Sequence, residues 1–231
     1  MSINVYWAAD ENLWMAATPP ESIAKRFYAL NKYQSKNPNA QLNYCPAFND
    51  ALKNVYTMKS LFNYHFHVDN ERVWTEDEDE KFFNEHVLIR AKDLSMYSFI
   101  NKYLFFTDSD SLETTFYQFP FFEDNNITKR CTPIPGKFDI GKWYRNTEFA
   151  FYLNSNFNEF KIEKDEVYGY VQFHTKEKIN FIQYRMTDKL REYAKDGFYL
   201  NSRLGVGNME KFYKTFKLKK LILKEIKDNL V

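Results

Sequence analysis

The sequence predicts an α+β fold that is mainly β: an antiparallel β-sandwich or a distorted double-stranded β-helix of jelly-roll type, with one helix near the start and helices at the end. Three observations carry this expectation. Aromatic residues make up 19% of the chain, with 23 Phe and 17 Tyr among 231 residues, and large rings suit the pleated, half-buried surface of a strand. Several segments between about residues 45 and 187 alternate apolar and polar side chains, the mark of a strand with one buried face. Beyond Thr187 the apolar spacing becomes helical. Phe, Tyr, Lys, Asn and Ile are also the residues that an AT-rich genome overproduces, so codon usage contributes to this composition. With 6 Gly and 7 Pro, nothing marks a linker or a low-complexity segment. The expected organisation is one globular domain over residues 1–231, with a β-rich core at about 45–187 and a helical region at about 187–231.

Taken in order, residues 3–8 (INVYWA) read as a strand and 12–17 (NLWMAA) as a second, short one. Thr18-Pro19-Pro20-Glu21 starts a helix running to about Lys32: Thr18 can cap, Pro19 fits the first turn, and Glu21 completes a capping box. Residues 45–54 form a turn of helix leading into the strand 55–60 (VYTMKS). In 62–69 (FNYHFHVD), Phe62, Tyr64, Phe66 and Val68 alternate with Asn63, His65, His67 and Asp69, so both histidines fall on the polar face of a strand. The acidic run 75–80 (TEDEDE) is a solvated loop or the charged first turn of a helix, and its spacing does not match a calcium loop. Residues 96–110 are strongly apolar and turn at Asp108–Ser111, as a hairpin, into 111–122. In 143–153, Trp143, Arg145, Thr147, Phe149 and Phe151 share one strand face. Residues 159–174 supply a strand, a turn at Lys164-Asp165 and a longer strand, followed by the strand 179–186. A helix at 188–196 precedes a basic amphipathic one from about Met209 to Leu230, whose lysines read as its wet face.

The formal net charge of +1, from 32 basic and 31 acidic residues, supplies no field that draws the chain to nucleic acid or an anionic membrane. Cys45 and Cys131 are too few for a disulfide framework or a zinc site. Each has a proline close behind it, so both are expected as buried free thiols at turns or strand starts. The first residues lack the basic and apolar regions of a signal peptide, and no run approaches the ~20 apolar residues of a spanning helix. The expectation is a soluble, intracellular protein.

One constellation carries chemistry. His67-Val-Asp69 with the distant His174 has the residue types of a two-histidine, one-carboxylate site for Fe(II), and residues i and i+2 of a strand point the same way. Arg185 follows His174 with ten residues between them, a spacing similar to that of Fe(II)/2-oxoglutarate oxygenases, in which a guanidinium grips the cosubstrate carboxylate. Against this, a chain with four histidines and 31 acidic residues often contains His-x-Asp by chance, and an exposed strand face accommodates such histidines without a metal. A pocket, if formed, is expected between the sheets near Trp143, Arg145 and Tyr170, with Arg145 paired to a buried carboxylate such as Glu148 or Glu166. No phosphate loop, nucleophile elbow or zinc-protease motif is present in the sequence. The adjacent Asp165 and Glu166 would point to opposite strand faces, so they make no acid/base pair.

The stretches 45–64 (CPAFNDALKNVYTMKSLFNY), 140–153 (IGKWYRNTEFAFYL) and 162–173 (IEKDEVYGYVQF) resemble a family of tailed-phage proteins of unknown function, of the type carried by phages of marine bacteria and cyanobacteria. They are more faintly similar to a bacterial domain family of unknown function. The resemblance implies a phage source and brings no site residues. Three functional expectations follow. The first is an accessory protein of the host cytoplasm that binds a host or phage protein and needs no cofactor. The second is an oxygenase using Fe(II) and 2-oxoglutarate at His67, Asp69, His174 and Arg185. The third is a virion component. The oligomeric state stays open.

Overall fold

In a computed structural model of the chain, the residues described are 2–9, 17–34, 45–68, 73–75, 80–91, 95–100, 102–117, 126–154, 157–204 and 218–231. Strand β1 (Ser2–Ala9) lies between β14 (Lys178–Gln183), to which it is parallel, and the antiparallel β7 (Tyr103–Thr107). Val5 through Ala9 are all buried, because this sheet is covered on both faces, and such strands read as continuous apolar runs. Val5, Trp7 and Ala9 enter the largest core, while Tyr6 and Ala8 enter a second core. β7 divides in the same way, with Tyr103 and Phe105 on one side and Leu104 and Phe106 on the other. The second core is closed by helices α5 (Asp188–Leu204) and α6 (Leu218–Lys227), which contribute Leu190, Ala194, Ile222 and Ile226 at helical spacing. Thr187 caps α5 by accepting the Leu190 N–H at 3.2 Å.

Three antiparallel sheets surround the other side. The first has the order β10 (Gly136–Asp139), β8 (Glu113–Tyr117), β13 (Val167–Phe173), β2 (Val55–Lys59). The second runs β5 (Val87–Ala91), β6 (Met96–Ile100), β11 (Glu148–Leu153), β9 (Cys131–Ile134). The third is β12 (Glu159–Ile162), β3 (Tyr64–Val68), β4 (Val73–Trp74). Their inner faces meet in the largest core through aromatic rings, for example Phe66 of β3 against Phe99 of β6 at 5.7 Å and Phe149 of β11 edge-on to Tyr168 of β13 at 6.0 Å. The aromatic composition is thus core packing in strands. Gly169 is required by close approach: a Cβ there would stand 2.9 Å from the Phe149 ring. Helices α1 (Ile23–Gln34) and α2 (Pro46–Ala51) flank a small third core containing Ile23, Phe27, Leu52, Val55, Val167 and Tyr170. Short helices α3 (Glu80–His86) and α4 (Asn126–Arg130) complete the described elements. The fold is α+β and mainly β, as the sequence predicts. Among the described residues no helix is long and apolar enough to cross a membrane.

Several local expectations change. The apolar stretch 96–110 makes two strands, β6 and β7, in different sheets. The turn at Asp108–Ser111 is no hairpin, since β7 and β8 also belong to different sheets. Its polar groups are satisfied elsewhere: the Asp139 carboxylate accepts the N–H groups of Leu112 and Gly141 at 2.9 Å and the Ser111 hydroxyl at 2.5 Å. The Lys219 ammonium of α6 donates to the carbonyls of Ser109 and Gly141, fastening that helix to both turns. Within 143–153 only Glu148–Leu153 is strand. The turn at Lys164-Asp165 is where expected, with Asp165 at φ 67°, but β12 and β13 on either side of it join different sheets. The first helix starts at Ile23 rather than at Pro19. Most of the strand expected at 12–17 and the first half of the last helix lie outside the described residues.

Two stability tests follow. Phe151 is fully buried, whereas its neighbour Tyr152 on the opposite strand face is 37% exposed. Phe151→Ala is therefore expected to cost about 3–5 kcal/mol in urea denaturation and Tyr152→Ala about 0.5 kcal/mol or less. Burial raises the Asp139 carboxyl, but the Ser111 hydroxyl, the Leu112 and Gly141 N–H groups and Lys142 outweigh it and hold the group below its usual range. A carboxyl depressed by folding stabilises the fold above its unfolded pKa, and that contribution fades as pH falls through the folded value. Asp139→Asn should flatten the acid limb of the stability curve while lowering stability at neutral pH.

Candidate metal centre

β3 is amphipathic: Phe66 and Val68 are buried, and His65 and His67 take the other face. Antiparallel pairing places Glu159 of β12 opposite His67 and Lys161 opposite His65. On the other side β4 sets Trp74 opposite His67. Directly opposed residues share a face, with Cβ atoms ~4.5–5.5 Å apart, so strand periodicity and register together gather these side chains. His65 Nε2 is 3.1 Å from Glu159 Oε2, and the His65 and His67 rings are 4.3 Å apart between centroids. Trp74 stacks on His67 at 5.3 Å with an interplanar angle of 21°. The potential ligand atoms of His65, His67 and Glu159 all lie within 4.8 Å of one another, and all three residues are half-buried.

A cation braces the carboxylate. Arg130 of α4 donates through Nη1 to the Glu159 carbonyl at 2.5 Å and stands 3.4 Å from Oε1, with its guanidinium 5.0 Å over the Phe157 ring. The hydrogen bond from His65, followed by the bond from Arg130 and the nearby charge of Lys161, holds the Glu159 carboxyl below its usual range.

Two imidazoles and one carboxylate form a donor set suited to Fe(II), Zn(II) or Co(II). Donors at about 2.0–2.2 Å from one ion stand about 2.8–3.1 Å apart when they meet it at right angles. The 3.1 Å separation of His65 Nε2 and Glu159 Oε2 falls at the edge of that range. No other group of three His, Cys, Asp or Glu residues with this proximity occurs among the described residues.

Of the sequence-predicted ligands, His67 lies in this cluster and Asp69 lies outside the described residues. His174 follows β13 in another sheet; it is exposed, its Nε2 is 2.6 Å from Thr115 Oγ1, and its N–H bonds the Glu113 carbonyl. The imidazole that joins His67 is His65, two residues away on the same strand face. Arg185 is exposed just beyond β14, its N–H bonded to the Asn229 carbonyl. Arg145 is 7% exposed and bonds the Asn146 carbonyl and Glu148 Oε1 at 2.9 Å, the carboxylate pairing anticipated for it; Arg90 shares that carboxylate. Trp143 packs on Phe138 at 5.4 Å, and Tyr170 is fully buried in the third core. Trp143 and Tyr170 thus sit in separate clusters. A small surface cleft lies instead at Lys59, Tyr64, Phe99, Lys102, Tyr103 and Tyr168, where burial pushes the Tyr168 hydroxyl well above its usual range.

Neither cysteine extends the site. Cys131 is buried at the start of β9, with its thiol pushed up to about 12 by burial, while Cys45 is exposed immediately before α2, against the expectation that both are buried. The chain matches no protein family, no curated protein and no solved structure with which it was compared. A thiol-specific chromogenic reagent should titrate one cysteine, Cys45, rapidly in the native protein and the second only on denaturation; two fast thiols would contradict the placement of Cys131.

Proposed function

We propose that this chain binds a divalent transition-metal ion through His65, His67 and Glu159, and that it does so as a phage-encoded accessory protein in the host cytoplasm. The observation that carries the metal reading is the 3.1 Å approach of His65 Nε2 to Glu159 Oε2, on the sheet face that also holds His67. The face is half-buried, so an ion there exchanges with solvent, and the stacked Trp74 ring restricts His67. The phage origin rests on the resemblance of residues 45–64, 140–153 and 162–173 and on the AT-rich composition.

The oxygenase reading keeps its donor types and changes its residues. His65 and Glu159 take the roles first assigned to His174 and Asp69, and Arg185 has no part in the cluster described. Binding to a host or phage protein has the modest support of Ile89 at 47% and Tyr152 at 37% exposure, which stand on opposite faces of the β5-β6-β11-β9 sheet. A place in the virion is the remaining reading, which mass spectrometry of purified particles decides.

Anaerobic Co(II) titration tests the metal reading. One equivalent per chain should bring up visible ligand-field bands. His65→Ala, His67→Ala and Glu159→Ala should each weaken Co(II) binding by at least about 10–100-fold, the loss typical of even outer-shell changes, with circular dichroism unchanged. His174→Ala should leave the titration as it is. Absence of bands, or bands that survive His65→Ala and vanish in His174→Ala, would refute it.

A further inference from the structure

We propose that the ion held by His65, His67 and Glu159 takes a small chelating oxyanion, of the carboxylate or phosphate class, on its remaining positions, with Lys161 and Arg130 as the groups that attract it. This rests on the metal reading above and adds the ligand of that site.

Three protein donors occupy half of a six-coordinate ion, and such sites leave open positions for exogenous ligands. The site is accessible: the side chains of His65 and Glu159 are 20% and 35% exposed. Charge then selects what enters. Imidazoles bind metal as neutral donors, so a divalent ion here adds to the positive charge of the Lys161 ammonium and the Arg130 guanidinium around Glu159. Lys161 is directly opposite His65 in the ladder, two residues from Glu159 on the same strand and on the same face, and it is exposed. Arg130 is anchored by its Nη1 bonds to Glu159. A patch of this sign on a half-buried face attracts anions, and an ammonium is a general point-charge partner for carboxylate or phosphate oxygens. An anion bridging the ion and Lys161 also offsets the repulsion between them, which gives the two cations a reason to share one sheet face.

The test uses the full-length, Co(II)-loaded protein at constant ionic strength, titrated separately with oxalate and with inorganic phosphate while the cobalt bands are followed. A saturable spectral change is expected with at least one of them. A response to oxalate alone assigns a carboxylate ligand, and a response to phosphate alone assigns a phosphate. Lys161→Met, at an exposed strand position where folding is retained, should weaken anion binding about tenfold or more, given the size of a near-surface charge–charge interaction, while Co(II) binds at least as tightly as to the parent, since a neighbouring positive charge is gone. Bands that neither anion perturbs, or a Lys161→Met protein that binds anion as the parent does, overturn the anion proposal while the metal reading stands. Failure of Co(II) to bind at all overturns both.

Discussion

Burial of one sheet on both faces is the constraint on which the rest of the structure depends. β1 and β7 carry apolar side chains at every position from Val5 to Ala9 and from Tyr103 to Phe106, so neither strand can be left at a surface. Helices α5 and α6 must cover one side, and the antiparallel sheets must close the other. Lys219 secures this arrangement, because its ammonium satisfies the carbonyls of two turns on the strand side of α6. The hydrophobic term is large and nondirectional, whereas the polar groups at Asp139 and Lys219 decide which surfaces meet.

Much of this was legible in the chain, and the part that was not has a definite physical cause. The segments around Phe66 and Phe149 advertise strands because one face is polar or partly so, and the change of period after Thr187 marks helix. The partners of those strands were not legible. Asp108–Ser111 has the composition of a hairpin turn, but its polar groups bond to Asp139 and Lys219 rather than closing a ladder between β7 and β8. Trp143 and Arg145 continue the alternation of β11 in sequence and yet sit in irregular backbone, because Arg145 is drawn to the Asn146 carbonyl and to Glu148. Alternation reports which way a side chain faces; sheet membership is set by long-range contacts that no local window contains.

The candidate site divides along the same line. His65 and His67 could be placed on one face from their spacing alone, since strands have a period of two. Glu159 could not, because it stands more than ninety residues downstream of them and reaches His67 only through the register of β12 on β3. The spacing of His174 and Arg185 has the form of a known iron site, yet His174 lies beside Thr115 in a different sheet. A local pattern determines which face of one strand a side chain takes, while a residue count between distant segments carries no information about which strands pair.

The account therefore rests on one claim, that β3 and β12 together make a metal site. Crystals of the protein grown with Co(II), measured on either side of the cobalt absorption edge, test it most directly. The account predicts an anomalous-difference peak about 2.0–2.2 Å from nitrogen atoms of His65 and His67 and a carboxylate oxygen of Glu159. A featureless map at that face, or a peak that sits on His174 instead, would contradict it.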